Sequence, residues 1–171
     1  ADSDGEILPG GMDLNPGEYH NSLCEEIGRG YTAGYPSAVI LPLPGNDTIF
    51  YIFHERMKYT PPPDEAAYVD RLLYSIVKVS TFGKSVLAKN LPIVMDSLAF
   101  GEMNAVKHAN GKDWWIIQPR RNSNEFYILL FTKDGIVDTL TQTIGAISPP
   151  EVEGYGQTTF SPDGQKMIRY Y

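Results

Sequence analysis

The chain has 171 residues, 42% apolar and 12% aromatic, enough to bury a core and too apolar for a disordered segment. A net charge of −7 argues against a nucleic-acid partner or an anionic membrane surface, since both need clustered Lys and Arg. A single cysteine, Cys24, excludes an internal disulfide and a cysteine-cluster metal site, and no run approaches the roughly 18 apolar residues of a membrane-spanning helix.

The 16 glycines and 13 prolines amount to about one residue in six, against a usual roughly one in eight, so turns dominate over long helices. Residues 1–36 are rich in turn formers (Pro9, Gly10, Gly11, Asn15, Pro16, Gly17) and show no apolar period, which predicts loop with at most one short irregular turn. Ser37 to Leu43 predicts the first strand. Pro44-Gly45-Asn46-Asp47 predicts a turn, and Thr48 to His54 the return strand of a hairpin. The run Ile49 to Phe53 is continuous rather than alternating, which predicts a strand covered on both faces. Pro61-Pro62-Pro63 marks a rim loop, and 65–70 has the composition of one helical turn.

Leu72 to Val79 predicts a strand and Ser85 to Asn90 a short edge strand, whereas 91–103 contains Pro92 and no clean period. Met103 to His108 and Trp114 to Gln118 flank an Asn110-Gly111 turn, the strongest short hairpin signal because both residues tolerate positive φ. Glu125 to Thr132 and Ile136 to Ile144 flank Lys133-Asp134-Gly135, and 147–156 reads as loop. A last hairpin joins Gln157 to Phe160 with Gln165 to Tyr171 through Ser161-Pro162-Asp163-Gly164. The chain is therefore expected to be all-β.

Three of these hairpins share a pattern: a small or polar opening strand, a Gly/Asn/Asp turn and a bulky return strand. Their starts at Ser37, Asn104 and Gln157 are 67 and 53 residues apart, with two further strands after the second hairpin. Four-stranded antiparallel units at such a spacing are the signature of β-propeller blades. A β-sandwich fits the strand count but does not explain the recurring hairpin.

The segment Phe160-Ser161-Pro162-Asp163-Gly164-Gln165-Lys166 resembles the blade hairpin of WD40-like and TolB-like propellers. The run Asn104 to Trp115, followed by Asn124, Phe126, Tyr127 and then Thr132, Asp134, Gly135, is similar to blades of extracellular Bacteroidota propeller proteins exported by the type IX secretion system. Asp13 to Gly17, Leu72 to Ser75, Lys89-Asn90 and Pro92-Ile93 also look like members of that group.

The resemblance implies a secreted or cell-surface location and an incomplete propeller that is a fragment of a larger protein. Residues 1–36 would hold the remnant of a preceding blade (its turn and return strand at Asp2 to Leu8) plus loop. Residues 37–103 would form a blade with a Pro-rich insertion, 104–156 a second blade, and 157–171 the first hairpin of a third. The remaining blades, or other chains, would then be partners, together with surface glycans. It also implies O-glycosylation at Asp-Ser/Thr-aliphatic triplets, here Thr48, Ser97 and Thr139, with Thr48 on its turn expected to be the most exposed. An upstream cysteine of that family would offer Cys24 a disulfide partner.

Signals for catalysis are weak. His20, His54 and His108 lack the paired spacing of metal ligands, and rim histidines bonded to neighbouring loops are the expected reading. No nucleophile elbow, P-loop or dinucleotide fingerprint is present, and Gly28-Arg29-Gly30 is a loop pair. The acidic pairs Glu25-Glu26 and Glu151/Glu153 read as solvated surface. Trp114 and Trp115 are the candidate recognition residues, and in a strand their rings face opposite sides, so at least one is core. No catalytic residue, metal or cofactor is assigned. A non-catalytic interaction, adhesion or structural module is expected; the alternatives are part of a glycan- or peptide-acting propeller hydrolase and an intracellular WD40-like scaffold.

Overall fold

In the computed structural model the described residues are 7–23, 38–60, 63, 67–147, 149 and 156–170. They are all-β. A first antiparallel sheet runs β1 (Ala38–Pro42), β2 (Ile49–Tyr59), β3 (Ala67–Ser80) and β4 (Gly83–Leu98), in that spatial order. A second repeats the meander with β5 (Asn104–Lys107), β6 (Trp114–Pro119), β7 (Glu125–Thr132) and β8 (Gly135–Thr143). A hairpin of β9 (Gln157–Phe160) and β10 (Met167–Tyr170) follows, and the one helix among the described residues, α1 (Glu18–Asn21), is a single turn.

The turns explain why the strands pair as they do. Asn110 Oδ1 accepts the backbone N–H groups of Lys112 and Asp113 at 2.9 and 3.0 Å, and Gly111 takes φ 71°. Asp163 Oδ1 accepts the Ser161 hydroxyl at 2.5 Å and the Gln165 N–H at 3.1 Å. These bonds account for the Ser-Pro-Asp-Gly motif and hold the Asp163 carboxyl below its usual pKa, the Ser161 bond contributing most. Gly164 has φ 69°, and a Cβ there would stand 2.9 Å from Val106 Cγ2, so a side chain is excluded where the hairpin meets the second sheet.

The three elements stack as layers. On the first sheet, Tyr51 and Phe53 project toward the second, with ring centroids 4.7 and 5.3 Å from that of Phe131. One apolar core runs through both sheets and includes Phe53, Leu72, Leu98, Ile116, Leu129 and Phe131. Ala99 N–H donates to Pro119 O at 3.0 Å and Leu98 bridges Arg120, sewing the end of β4 to β6.

The opposite face of the second sheet receives the hairpin. There Asn104 Nδ2 donates to Thr158 O at 2.6 Å, and the Arg169 guanidinium lies 5.7 Å from the Phe126 ring centroid. Arg169 Nε donates to Glu102 Oε2 at 2.5 Å, the two side chains being 7% and 1% exposed. The second sheet is thus contacted on both faces, although its edge strand β8 stays exposed, and no ring closes among the described residues.

The structure departs from the sequence expectation in several places. β4 is not a short strand ending at Asn90 but runs through Pro92 to Leu98. An edge strand tolerates a proline because the missing N–H faces away from the ladder, and register shifts between β3 and β4, with Asn90 at φ 58°, absorb the irregularity. Residues 67–70 belong to β3 rather than to a helical turn. The run Ile49 to Phe53 is covered on one side only: Tyr51 and Phe53 meet the second sheet, whereas Phe50 and Ile52 are half-buried beside an open groove. Ile7 and Leu8 form no return strand. Cys24, Glu25, Glu26, Gly28 to Gly30, Pro61, Pro62, Glu151, Glu153 and residues 1–6 lie outside the described residues.

Candidate recognition cleft

Three hairpin turns converge at one end of the two sheets: Leu43 to Thr48, His108 to Asp113 and Lys133-Asp134. Between them opens a cleft of about 1290 Å³ whose lining includes Pro44, Asp47, Lys107, Trp114 and Asp134. Each turn is fixed by side-chain to backbone bonds. Asn46 Oδ1 accepts from Thr48 N, Thr48 Oγ1 and Ile49 N at 2.9–3.0 Å. Asp134 N–H donates to Thr132 Oγ1 at 3.2 Å, and Lys133 Nζ sits 2.8 Å from both carboxylate oxygens of Asp134.

Trp114 joins the cleft to the core. Its ring packs against the shared apolar cluster, and the Lys107 ammonium stands 3.8 Å from its centroid while donating to Lys112 O at 3.1 Å. Such a cation–π contact is worth about 0.5–1 kcal/mol at an exposed site. Among the described residues the buried Trp114 Nε1–H has no acceptor. The arrangement offers an aromatic edge, ammonium groups and carboxylates on turns pinned by hydrogen bonds.

Trp115 faces the other way, its ring centroid 5.3 Å from that of His108, whose Nδ1 accepts the Asn110 N–H at 3.0 Å. The two candidate recognition residues are therefore not one site: only Trp114 lines the cleft. Nor are the three candidate glycosylation residues brought together. Thr48 is half-buried with its hydroxyl bonded to Asn46, so it is not the most exposed of the three. Ser97 is half-buried near the end of β4, its carbonyl accepting Arg121 N–H at 3.0 Å. Thr139 is exposed on β8.

Two polar networks were not visible in the sequence. At the seam between the sheets, Arg120 contacts Asp96 and Glu125, each at 2.9 Å, and the Tyr127 hydroxyl donates to Asp96 Oδ2 at 2.6 Å. Burial first, then the bond to Asp96, pushes Tyr127 up to about 12. On the far face of the first sheet His54 lies within β2, 3% exposed, rather than at a rim. Its Nδ1 is 2.6 Å from Asn15 Oδ1 and its Nε2 2.9 Å from Ser75 Oγ, and burial lowers its pKa to about 4.

Among the described residues no group of three or more His, Cys, Asp or Glu side chains is placed to hold a metal ion, and no helix is long and apolar enough to cross a membrane. The observed class is thus an all-β chain of two stacked four-stranded meanders with a third two-stranded layer. No protein-family model, curated protein or solved structure matches the chain.

Proposed function

We propose that this chain is a non-catalytic β-propeller module of a secreted or cell-surface protein, recognising a protein or glycan through the turn end of its sheets. The observation that carries the reading is the stacking. A two-sheet sandwich leaves the outer face of each sheet to solvent, whereas the second sheet here has the first sheet on one face and the β9–β10 hairpin on the other. Successive meanders stacked in chain order are how propeller blades pack. The compartment and the likeness to type IX-exported Bacteroidota proteins rest on the hairpin motifs described above.

Recognition is supported by the cleft's pinned turns and by an aromatic flanked by an ammonium. Incubating the chain with a panel of cell-surface polysaccharides and proteins, and reading retention and bond cleavage together, tests this. Retention without new reducing ends or peptide termini is expected, weakened at least tenfold by Asp47→Ala combined with Lys112→Ala, both on turns away from the core. Cleavage by the purified chain would establish the hydrolase alternative instead.

A further inference from the structure

The β5–β6 and β9–β10 hairpins turn in the same way. Counting into the turns from the strand pairs Lys107 with Trp114 and Phe160 with Met167, His108 is equivalent to Ser161, Asn110 to Asp163, Gly111 to Gly164 and Asp113 to Lys166. The backbone bonds match. His108 N–H donates to Asp113 O and Ser161 N–H to Lys166 O, both at 2.9 Å. Gly111 and Gly164 N–H donate to His108 O and Ser161 O, at 2.9 and 2.8 Å. In each turn the side-chain oxygen before the glycine accepts the backbone N–H two positions on, that of Lys112 or of Gln165. The turns differ in one pair of side chains. Asn110 Nδ2 donates to the Asp113 carboxylate at 2.6 Å, whereas the later hairpin has Asp163 with Lys166 at those positions. The β5–β6 turn therefore needs an amide at position 110, because a carboxylate there would stand against that of Asp113.

Asn110 is also the only asparagine of the chain followed by glycine. Asparagine is a thermolabile residue, and most so before glycine, whose nitrogen no Cβ shields. Asn110 and Gly111 are exposed, and nothing lies within 4 Å of where a Gly111 side chain would begin. In deamidation the Gly111 nitrogen attacks Asn110 Cγ. The N–Cγ bond forms, the Cγ–Nδ2 bond breaks, and ammonia leaves with the Gly111 amide proton. Water then opens the succinimide at either carbonyl to give aspartate or isoaspartate, and nothing is oxidised or reduced. The closed turn opposes the first step. Its hydrogen bonds commit the Gly111 N–H to His108 O, Asn110 Oδ1 to the N–H groups of Lys112 and Asp113, and Asn110 Nδ2 to the Asp113 carboxylate.

We propose that Asn110 is a self-modification site gated by the β5–β6 turn. The closed turn protects the amide, opening delivers it to Gly111, and conversion unmakes the turn. The aspartate product meets the Asp113 carboxylate, and the isoaspartate product adds a methylene to the main chain of a tightly bonded turn. Lys112, whose carbonyl accepts from the Lys107 ammonium that stands over Trp114, belongs to this turn, so the change extends to the cleft. The proposal concerns the turn itself and does not depend on what the cleft binds.

Peptide mapping by mass spectrometry, after incubation at mildly alkaline pH with and without urea, tests it. In urea Asn110 is expected to convert ahead of every other asparagine. In the folded chain its conversion is expected to be at least about tenfold slower. Asp113→Ala removes the charged partner of the amide and is expected to quicken conversion several-fold in the folded chain, with the rate in urea little changed. Hydrogen exchange reads the consequence. Asn110→Asp is expected to quicken exchange across residues 108–113, and adding Asp113→Lys, which reproduces the pairing of Asp163 with Lys166, to restore wild-type protection. Equal rates folded and in urea, another asparagine converting first in urea, or no acceleration in folded Asp113→Ala overturns the gating. Wild-type exchange in Asn110→Asp, or no rescue by Asp113→Lys, overturns the claim that conversion unmakes the turn.

Discussion

His54 bonds through both ring nitrogens. Asn15 Oδ1 can only accept, so Nδ1 carries the proton and the Ser75 hydroxyl donates to Nε2. Ser75 Oγ in turn accepts the Asn90 N–H at 3.1 Å, so one neutral imidazole organises β2, β3, β4 and the N-terminal segment. Burial lowers its pKa to about 4 from 6.5. The unfolded chain therefore takes up a proton between those values while the folded chain does not. The stability this group confers is present above pH 6.5, is lost as the pH falls and is gone near pH 4. The shift corresponds to about 3 kcal/mol. Urea unfolding at pH 7 and pH 4 is expected to show a fall in stability larger by roughly that amount in the wild type than in His54→Gln; equal falls would refute it. The sequence shows a histidine near an apolar run. It does not show the Asn15 carbonyl 39 residues away, because no periodicity links a loop residue to the sheet it crosses.

The segment 8–15 is an element without regular structure, held by the bonds of Asn90 rather than by a ladder. Asn90 sits at φ 58°, accepts the Asn15 N–H at 3.1 Å and donates to the Asp13 carbonyl. Replacement by glycine keeps the left-handed backbone and removes both side-chain bonds. For Asn90→Gly, hydrogen exchange in residues 8–15 is expected to quicken about tenfold or more, with global stability lowered by only about 1–2 kcal/mol. A global loss without a local change would contradict this account. At this scale most strands were legible because short signals set them: Asn110-Gly111 and Asp163-Gly164 fix their hairpins whatever surrounds them. β4 was not. Pro92 argues against a strand until it is known to lie at a sheet edge, and that is a property of the assembled sheet.

Across the molecule the two sheets share one core, centred where Tyr51 and Phe53 meet Phe131. Phe131 is fully buried, and Phe131→Ala is expected to cost about 3–5 kcal/mol. Because the core is continuous, both sheets should unfold in a single calorimetric transition in wild type and variant alike. Two resolved transitions would mean that the sheets are independent. The cleft was only half legible at this scale. Trp114 stands out in the sequence as one of two adjacent tryptophans, and strand alternation separates it from Trp115. That Lys107 stacks on it, and that the Asn46 and Lys133 turns face it, depends on how two sheets superpose, which no local pattern encodes.

The ladders within each sheet join strands adjacent in sequence: β1-β2-β3-β4, then β5-β6-β7-β8. No strand must wait for a distant segment before its ladder can form. A chain emerging from the ribosome can complete the first sheet before the second is synthesised, and that sheet then presents Tyr51 and Phe53 as a ready template on which the second condenses. This order keeps loop-closure costs small for a β-rich topology. It also leaves the newest layer as the one with an uncovered apolar face at each stage of synthesis. Premature termination after β4 would thus release a sheet with Phe53 and Leu72 bare, and termination after β8 would release one with Ile117 and Phe126 bare, both species prone to aggregate.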